Sequence, residues 1–209
     1  MENQNKNELN RGEGLVFLLE EFKECLSHMR HYDNAKLSLA KFGFSFYSAV
    51  AAVVYTLERY FFFEVKKSSI DFFVGGLLVL SFLIGLMMMI MVIRLRKYFV
   101  RVARQVNEIR RYFVKLIEVS GMDFADHLYT SREKPVPFNP KSTYLLLSFL
   151  FTGVNSIALA FSSFFVARHF HFCSMCLYGS PILLFAASLI GQLIYINGQL
   201  KGQQHEFTN

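Results

Sequence analysis

Three long blocks of this sequence hold no Asp, Glu, Lys or Arg: Phe72–Ile93, Ser142–Ala167 and Phe172–Leu200. Carriers driven by protons or cations depend on ionisable groups inside the membrane, where such groups are expensive. Their absence argues against that class. Catalytic motifs are missing too: there is no Walker loop, GxSxG elbow, HExxH pair or paired-carboxylate metal box. The stretch ahead of Phe42 is polar and charged, with no apolar core of the kind a secretory leader carries. The first apolar segment is therefore expected to act as an uncleaved anchor. No lipidation box, internal repeat or low-complexity tract is visible. Proline occurs four times, three of them in GMDFADHLYTSREKPVPFNPK (121–141), which reads as a loop.

What the chain does have is hydrocarbon. Of 209 residues, 53% are hydrophobic and 24 are Phe, with a mean hydropathy of +0.32. A soluble domain of this size cannot easily hide so much apolar side chain, and here it is gathered into blocks. Crossing a bilayer takes about 20 apolar residues in a helix. The three uncharged blocks meet that length. Phe42–Leu57 is shorter, and Tyr60–Phe63 extends it beyond the Glu58–Arg59 pair. The expected fold is all-α: an integral membrane protein of four spanning helices. The parts are an amphipathic arm (1–41), a first hairpin of spans (42–93), a basic helix and loop (94–141), a second hairpin (142–200) and a tail (201–209).

Charge sets the expected topology. Residues 1–41 hold six bases and seven acids, the loop from Glu58 to Asp71 three of each, and Arg94–Lys141 eleven bases against five acids. Arg168 is the only full charge between the last two spans. Lys and Arg near span ends stay on the cytoplasmic side. The middle segment and both termini are thus expected in the cytoplasm, which for a bacterial protein means a multi-pass inner-membrane location.

The basic segment RLRKYFVRVARQVNEIRRYFVK (94–115) carries more charge than topology needs. Leu95, Phe99, Val102, Val106, Ile109, Phe113 and Leu116 recur at three- and four-residue steps, which predicts an amphipathic helix continuing the second span. Arg94, Lys97, Arg101, Arg104, Arg111 and Lys115 follow on a neighbouring face, interrupted by Glu108. The arm has a matching stripe: Leu15, Leu18, Phe22, Cys25, Met29, Tyr32, Ala35 and Leu39. One helix is expected to run from the arm into the first span, its seam packed on residues 95–116 and its Glu20, Glu21 and Glu24 facing some of the basic ribbon. Three uses of the cationic face remain open: a solvated flank, binding to anionic headgroups at roughly 1 kcal/mol per basic residue, or contact with a partner, with nucleic acid only indirect or weak.

Polar residues inside the spans are few. Asn155, Gln192, Asn197 and Gln199 are expected to hydrogen-bond between helices. Small residues share faces at Ser45, Ser48, Ala49 and Ala52, at Ser156, Ala160 and Ser163, and at Ala187 with Gly191. Such faces let helices approach closely, within one chain or in a homo-oligomer. In RHFHFCSMC (168–176), His169, His171, Cys173 and Cys176 fit three descriptions. They are interfacial and small apolar side chains, or the cysteines form a disulfide, or the four are weak ligands for zinc or copper. Asp123, Asp126 and His127 form a second, fainter metal cluster. No cofactor is expected.

The order of parts adds a resemblance. The arm FKECLSHMRHYDNAKLSLAKF, a hairpin of spans, the basic helix with VARQVNEIRRYF and a second hairpin resemble the small four-span membrane accessory proteins of prokaryotic antiviral loci. These stand beside type VI-B CRISPR effectors and beside RNA-editing adenosine-deaminase operons. SLATT effectors are a looser likeness, sharing an arm, a hairpin and a following helix. The resemblance implies a non-enzymatic inner-membrane protein that modulates or carries out a defence response. The other type VI-B accessory is similar to a HEPN-bearing pore. This chain has no Arg–His pair at HEPN spacing, which favours the regulatory kind. The expected partners are the bilayer, further copies of the chain, and an RNA-guided RNA nuclease or deaminase complex. Arg101, Arg104, Asn107, Arg110, Arg111 and Lys115 are the expected binding surface, and an oligomeric channel or membrane-disrupting effector is the competing function.

Overall fold

A computed structural model describes residues 2–60, 67–119, 139 and 142–206. Among them are four helices and no strand: α1 (Glu2–Tyr60), α2 (Lys67–Val119), α3 (Thr143–His169) and α4 (Ser174–Glu206). Each contains a stretch long and apolar enough to cross a membrane. The chain is an all-α, four-span membrane protein, as its uncharged blocks require. Both continuous helices are present. α1 carries the arm into the first span without a break, and α2 runs from the second span through the whole basic segment. No proline falls within either, so nothing interrupts their hydrogen-bond ladders. The fourth helix extends past Leu200 to Glu206. α3 starts at Thr143, with Ser142 as its N-cap and the Ser142 amide bonded to the Asn139 carbonyl at 2.9 Å.

The chain divides into two compact units, Met1–Ala35 with Arg96–Val136, and Lys36–Leu95 with Pro137–Asn209. In the first, the arm and the basic helix form an antiparallel pair, since Phe22 meets Phe113 edge-on at 6.5 Å while Tyr32 stacks on Tyr98 at 6.0 Å. The seam is the one read from periodicity. Cys25, Val106 and Ile109 are buried, with Phe22, Leu26, Met29, Val102 and Phe113 packed around them. Burying a Val or Ile side chain contributes about 1.5–3 kcal/mol. Val100 and Ala103 are also buried, more deeply than Leu95 and Phe99, whereas Leu15 at the arm's start is exposed.

In the second unit, α1 and α3 run parallel and α2 runs against both. The pairings fix this. Lys36 Nζ donates to Thr143 Oγ1 at 3.1 Å and lies over the Tyr144 ring at 4.4 Å. Tyr47 meets Asn155, and Glu58 meets Arg168. Met89, Gly75 and Asp71 of α2 meet Thr152, Ser162 and Arg168 in reverse order. Val74, Leu78 and Phe165 form the apolar core near one end, supported by Val50, Val54 and Leu57. α4 lies antiparallel to α3: Gln192 is near Asn155, and Tyr178 is 6.4 Å from Phe164.

Close approach in this bundle depends on glycines that the small-residue faces did not single out. A Cβ at Gly43 would lie 2.5 Å from the Phe151 ring, and one at Gly75 would lie 3.1 Å from Val166. Of the three small-residue faces, Ser156 in α3 is buried between helices. Ser45, Ser48, Ala49 and Ala52 of α1 and Ala187 and Gly191 of α4 are exposed.

Candidate functional sites: a basic helix face and a buried polar column

The seam of α2 decides which basic residues look outward. Val106, Ile109 and Phe113 face the arm, so Arg110, one residue from Ile109 and three from Phe113, is drawn toward it. Its guanidinium lies 5.6 Å over the Phe22 ring, a cation–π contact. Arg110 and Asn107 are half-buried. Arg101, Arg111 and Lys115 are exposed, Arg104 is half-buried, and Arg101 lies 6.0 Å from the Tyr98 ring. The six residues expected to form one surface thus separate. Arg101, Arg111 and Lys115 line the outer flank beside Arg104, while Arg110 packs against the arm.

Glu21 of the arm meets this helix at a neutral side chain. Gln105 Nε2 donates to Glu21 Oε1 at 2.6 Å. Glu21 also sits 3.9 Å from the Cys25 sulfur. Burial, followed by the charges of Glu21 and Glu24, pushes the Cys25 thiol above its ordinary value. It remains a protonated core group, as its place on the apolar stripe implied.

The second unit holds a charged cluster that sequence reasoning did not assemble. Asp71 at the start of the second span is 2% exposed. Arg168, in the last turn of α3, grips it with both arms of its fork, donating from Nε to Asp71 Oδ2 at 2.8 Å and from Nη2 to Asp71 Oδ1. The same Nη2 donates to Glu58 Oε1 at 2.5 Å, which adds α1 to the cluster. The Phe165 ring lies 4.8 Å beneath the guanidinium. Two-pronged recognition of a carboxylate is what a planar guanidinium does best, and a cation in the last helical turn also complements the helix dipole. Along α2, Asp71 stands 24 residues before Leu95, a rise of about 36 Å. The cluster therefore lies at the other end of the second span from Leu95.

A neutral polar layer lies deeper. The Tyr47 hydroxyl donates to Asn155 Oδ1. Asn155 Nδ2 donates to Gln192 Oε1 at 3.3 Å, and Gln192 Nε2 reaches Ser188 Oγ at 2.8 Å and Ser156 Oγ at 3.4 Å. Gly85 of α2 backs directly onto the Tyr47–Asn155 contact. All four helices meet here. Asn155 and Gln192 do bond between helices as expected, whereas Asn197 is exposed. Among the described residues, no buried side-chain nitrogen or oxygen lacks a partner. The layer satisfies its own hydrogen bonds. A lateral apolar crevice of about 450 Å³ runs beside it, lined by Tyr47, Val50, Val54, Val154 and Phe161 among others.

The weak metal candidates do not converge. Among the described residues, no three His, Cys, Asp or Glu side chains come together as a metal site would need. His169 lies between the Phe72 and Phe170 rings at 5.3 and 4.8 Å. His171 takes φ 52° for a backbone reason. The Phe172 amide bonds to the Ala167 carbonyl at 3.1 Å and the His171 amide to the Arg168 carbonyl at 3.3 Å, the two bonds of a Schellman terminator with His171 in its left-handed position. Cys173 and Cys176 are free thiols rather than a disulfide. Asp123, Asp126 and His127 lie outside the described residues. Replacing His171 by Gly is expected to raise stability by about 1 kcal/mol, because only Gly takes this conformation without a Cβ penalty. A higher thermal midpoint in detergent would show it, and a lower one would mean that the imidazole itself holds the turn.

The charged cluster had a faint signal in the sequence, since Arg168 is a solitary cation between two spans and Asp71 adjoins an uncharged block. The role of Gly85 had none. Comparison with known protein families, curated proteins and solved structures finds no match to this chain.

Proposed function

We propose that this chain is a non-catalytic accessory of the bacterial inner membrane, with both termini in the cytoplasm. Its basic helix face would dock a prokaryotic antiviral complex built on an RNA-guided RNA nuclease or an RNA-editing deaminase. One observation carries the reading. The apolar seam of α2 is occupied by the arm, yet Arg101, Arg111 and Lys115 remain exposed on the flank beside Arg104. Orientation in the membrane requires only the bases next to the span, Arg94, Arg96 and Lys97. A stripe of cations further out raises the encounter rate with an acidic or nucleoprotein partner. The resemblance of the arm and of VARQVNEIRRYF to defence-locus accessories supplies the partner class.

The test is a crosslinked pull-down of the tagged chain from native membranes, with proteins and nucleic acids both identified. Charge reversal at Arg101, Arg111 and Lys115 together is expected to cut recovery of a nuclease or deaminase by more than about tenfold, with membrane insertion unchanged. These side chains are exposed, so the folded pair should tolerate the change. Equal recovery from the variant would end the docking reading.

A second reading, an oligomeric channel or membrane-disrupting effector, draws on the exposed small faces at Ser45, Ser48, Ala49 and Ala52 and at Ala187 and Gly191. These permit close approach of another copy. Recovery of the chain alone, in a defined oligomer, together with dye leakage from reconstituted liposomes, would favour it.

A further inference from the structure

We propose that Cys173 and Cys176 form a redox-active dithiol that exchanges with small disulfides. This is independent of the basic surface. The local backbone builds the pair. The Schellman terminator after α3 reverses the chain within a few residues and delivers Cys173 to the start of α4, a helix of 33 residues. The Cys173 carbonyl accepts the Leu177 amide at 3.0 Å, so Cys173 is the N-cap residue and its side chain stands where the first helical amides point. The amides of Met175 and Cys176 face its sulfur. Cys176, three residues on, falls on the same side of the first turn, and the two sulfurs are 3.3 Å apart. Closing to a disulfide, about 2.05 Å, takes a shift of roughly 1.3 Å. Both cysteines are exposed.

This placement gives the two thiols unequal roles. Helix-terminal amides favour the thiolate at Cys173, which is the nucleophilic form. That thiolate attacks one sulfur of a disulfide such as oxidised glutathione, breaking the S–S bond and releasing one glutathione thiolate. Cys173 is then half of a mixed disulfide. Cys176 loses its proton to solvent and attacks the Cys173 sulfur, forming the internal bond and releasing the second glutathione thiolate. Two protein thiols are oxidised and one disulfide is reduced to two thiols, so the two electrons balance. The paired sulfurs make Cys176 the resolving residue and the mixed disulfide short-lived.

The test uses the full chain in nanodiscs, exposed to oxidised glutathione, acid-quenched over time and mapped by peptide mass. The wild type is expected to gain an internal Cys173–Cys176 bond with little glutathione retained. Cys176→Ser should accumulate glutathione on Cys173, and Cys173→Ser should react at Cys176 about tenfold more slowly. Serine at either exposed position should leave the thermal midpoint unchanged, which separates loss of chemistry from loss of fold. Glutathione on both wild-type cysteines without an internal bond would overturn the proposal. So would equal reactivity of the two single variants, disulfides only between chains, or no reaction at all.

Discussion

Arg168→Gln is expected to destabilise the spanning bundle by about 3–5 kcal/mol, the usual cost of removing one partner from a buried ion pair. The mechanism is the carboxylate left behind. Asp71 is 2% exposed, and its two oxygens are both held by the Arg168 guanidinium. Without the fork it keeps a charge on a carboxylate that is almost wholly withdrawn from water. Glu58, its neighbour in the cluster, then adds repulsion instead of sharing a common cation. The order of effects is informative. Glu58 is the more exposed carboxylate, so Glu58→Gln should cost no more than about 1 kcal/mol, like other solvent-screened pairs. Pairing Arg168→Gln with Asp71→Asn should recover much of the loss, because two amides can bond where a lone carboxylate cannot. Thermal unfolding of the three variants beside the parent, in one detergent, measures this. A single Arg168→Gln variant as stable as the parent would mean that water enters the cluster freely.

The fold was readable because its largest physical term is written in composition. Uncharged blocks of more than twenty residues have one stable solution in a bilayer, a helix that satisfies its own backbone. Periodicity then gave the pairing of arm and basic helix, since Phe22, Cys25 and Met29 and Val102, Val106 and Ile109 each repeat on one side of a helix. It did not set how far the contact runs, and Leu15 continues the pattern into solvent. Nor did it separate the arginines. Arg110 and Arg111 count equally as charge, but Arg110 lies over Phe22 while Arg111 is exposed. That distinction comes from the rotational setting of the seam.

The charged cluster and the polar layer were less legible for a different reason. Glu58, Asp71 and Arg168 stand on three helices, and only the parallel course of α1 and α3 with α2 antiparallel to both puts all three at one level. Each taken alone is an ordinary loop-edge charge. The small-residue faces tell part of the packing, since Ser156 meets Ser188 of α4 at 3.2 Å. Spacing picks out faces able to approach closely, but among the described glycines the one with least room for a Cβ is Gly85, which belongs to no small-residue pair.

Among the described glycines, Gly85→Ala is expected to be the most damaging alanine substitution. A Cβ there would lie 1.7 Å from Asn155 Oδ1 and 1.9 Å from the Tyr47 hydroxyl, far inside contact distance. Both atoms are ends of side chains, but neither can turn away freely. They are bonded to one another, and the Asn155 amide also donates to Gln192. Asn155 is fully buried, so an amide pushed out of register has no water to replace its partner. Overpacking a well-filled core costs about 1–3 kcal/mol, and a stranded buried polar group adds about 1–3 kcal/mol more. Gly76→Ala is the control on the same helix, since its Cβ would meet nothing within 4 Å. It should be neutral or slightly stabilising, as Ala outranks Gly in a helix by about 1 kcal/mol. The decisive variant combines Gly85→Ala with Asn155→Ala. Shortening Asn155 removes the nearest obstruction, so the double variant should be less destabilised than the sum of its parts by about 1 kcal/mol or more. Strict additivity in a thermal or denaturant cycle would show that the loss at Gly85 does not act through the Tyr47–Asn155 contact. A double variant less destabilised than the sum would show that the loss at Gly85 acts through Asn155.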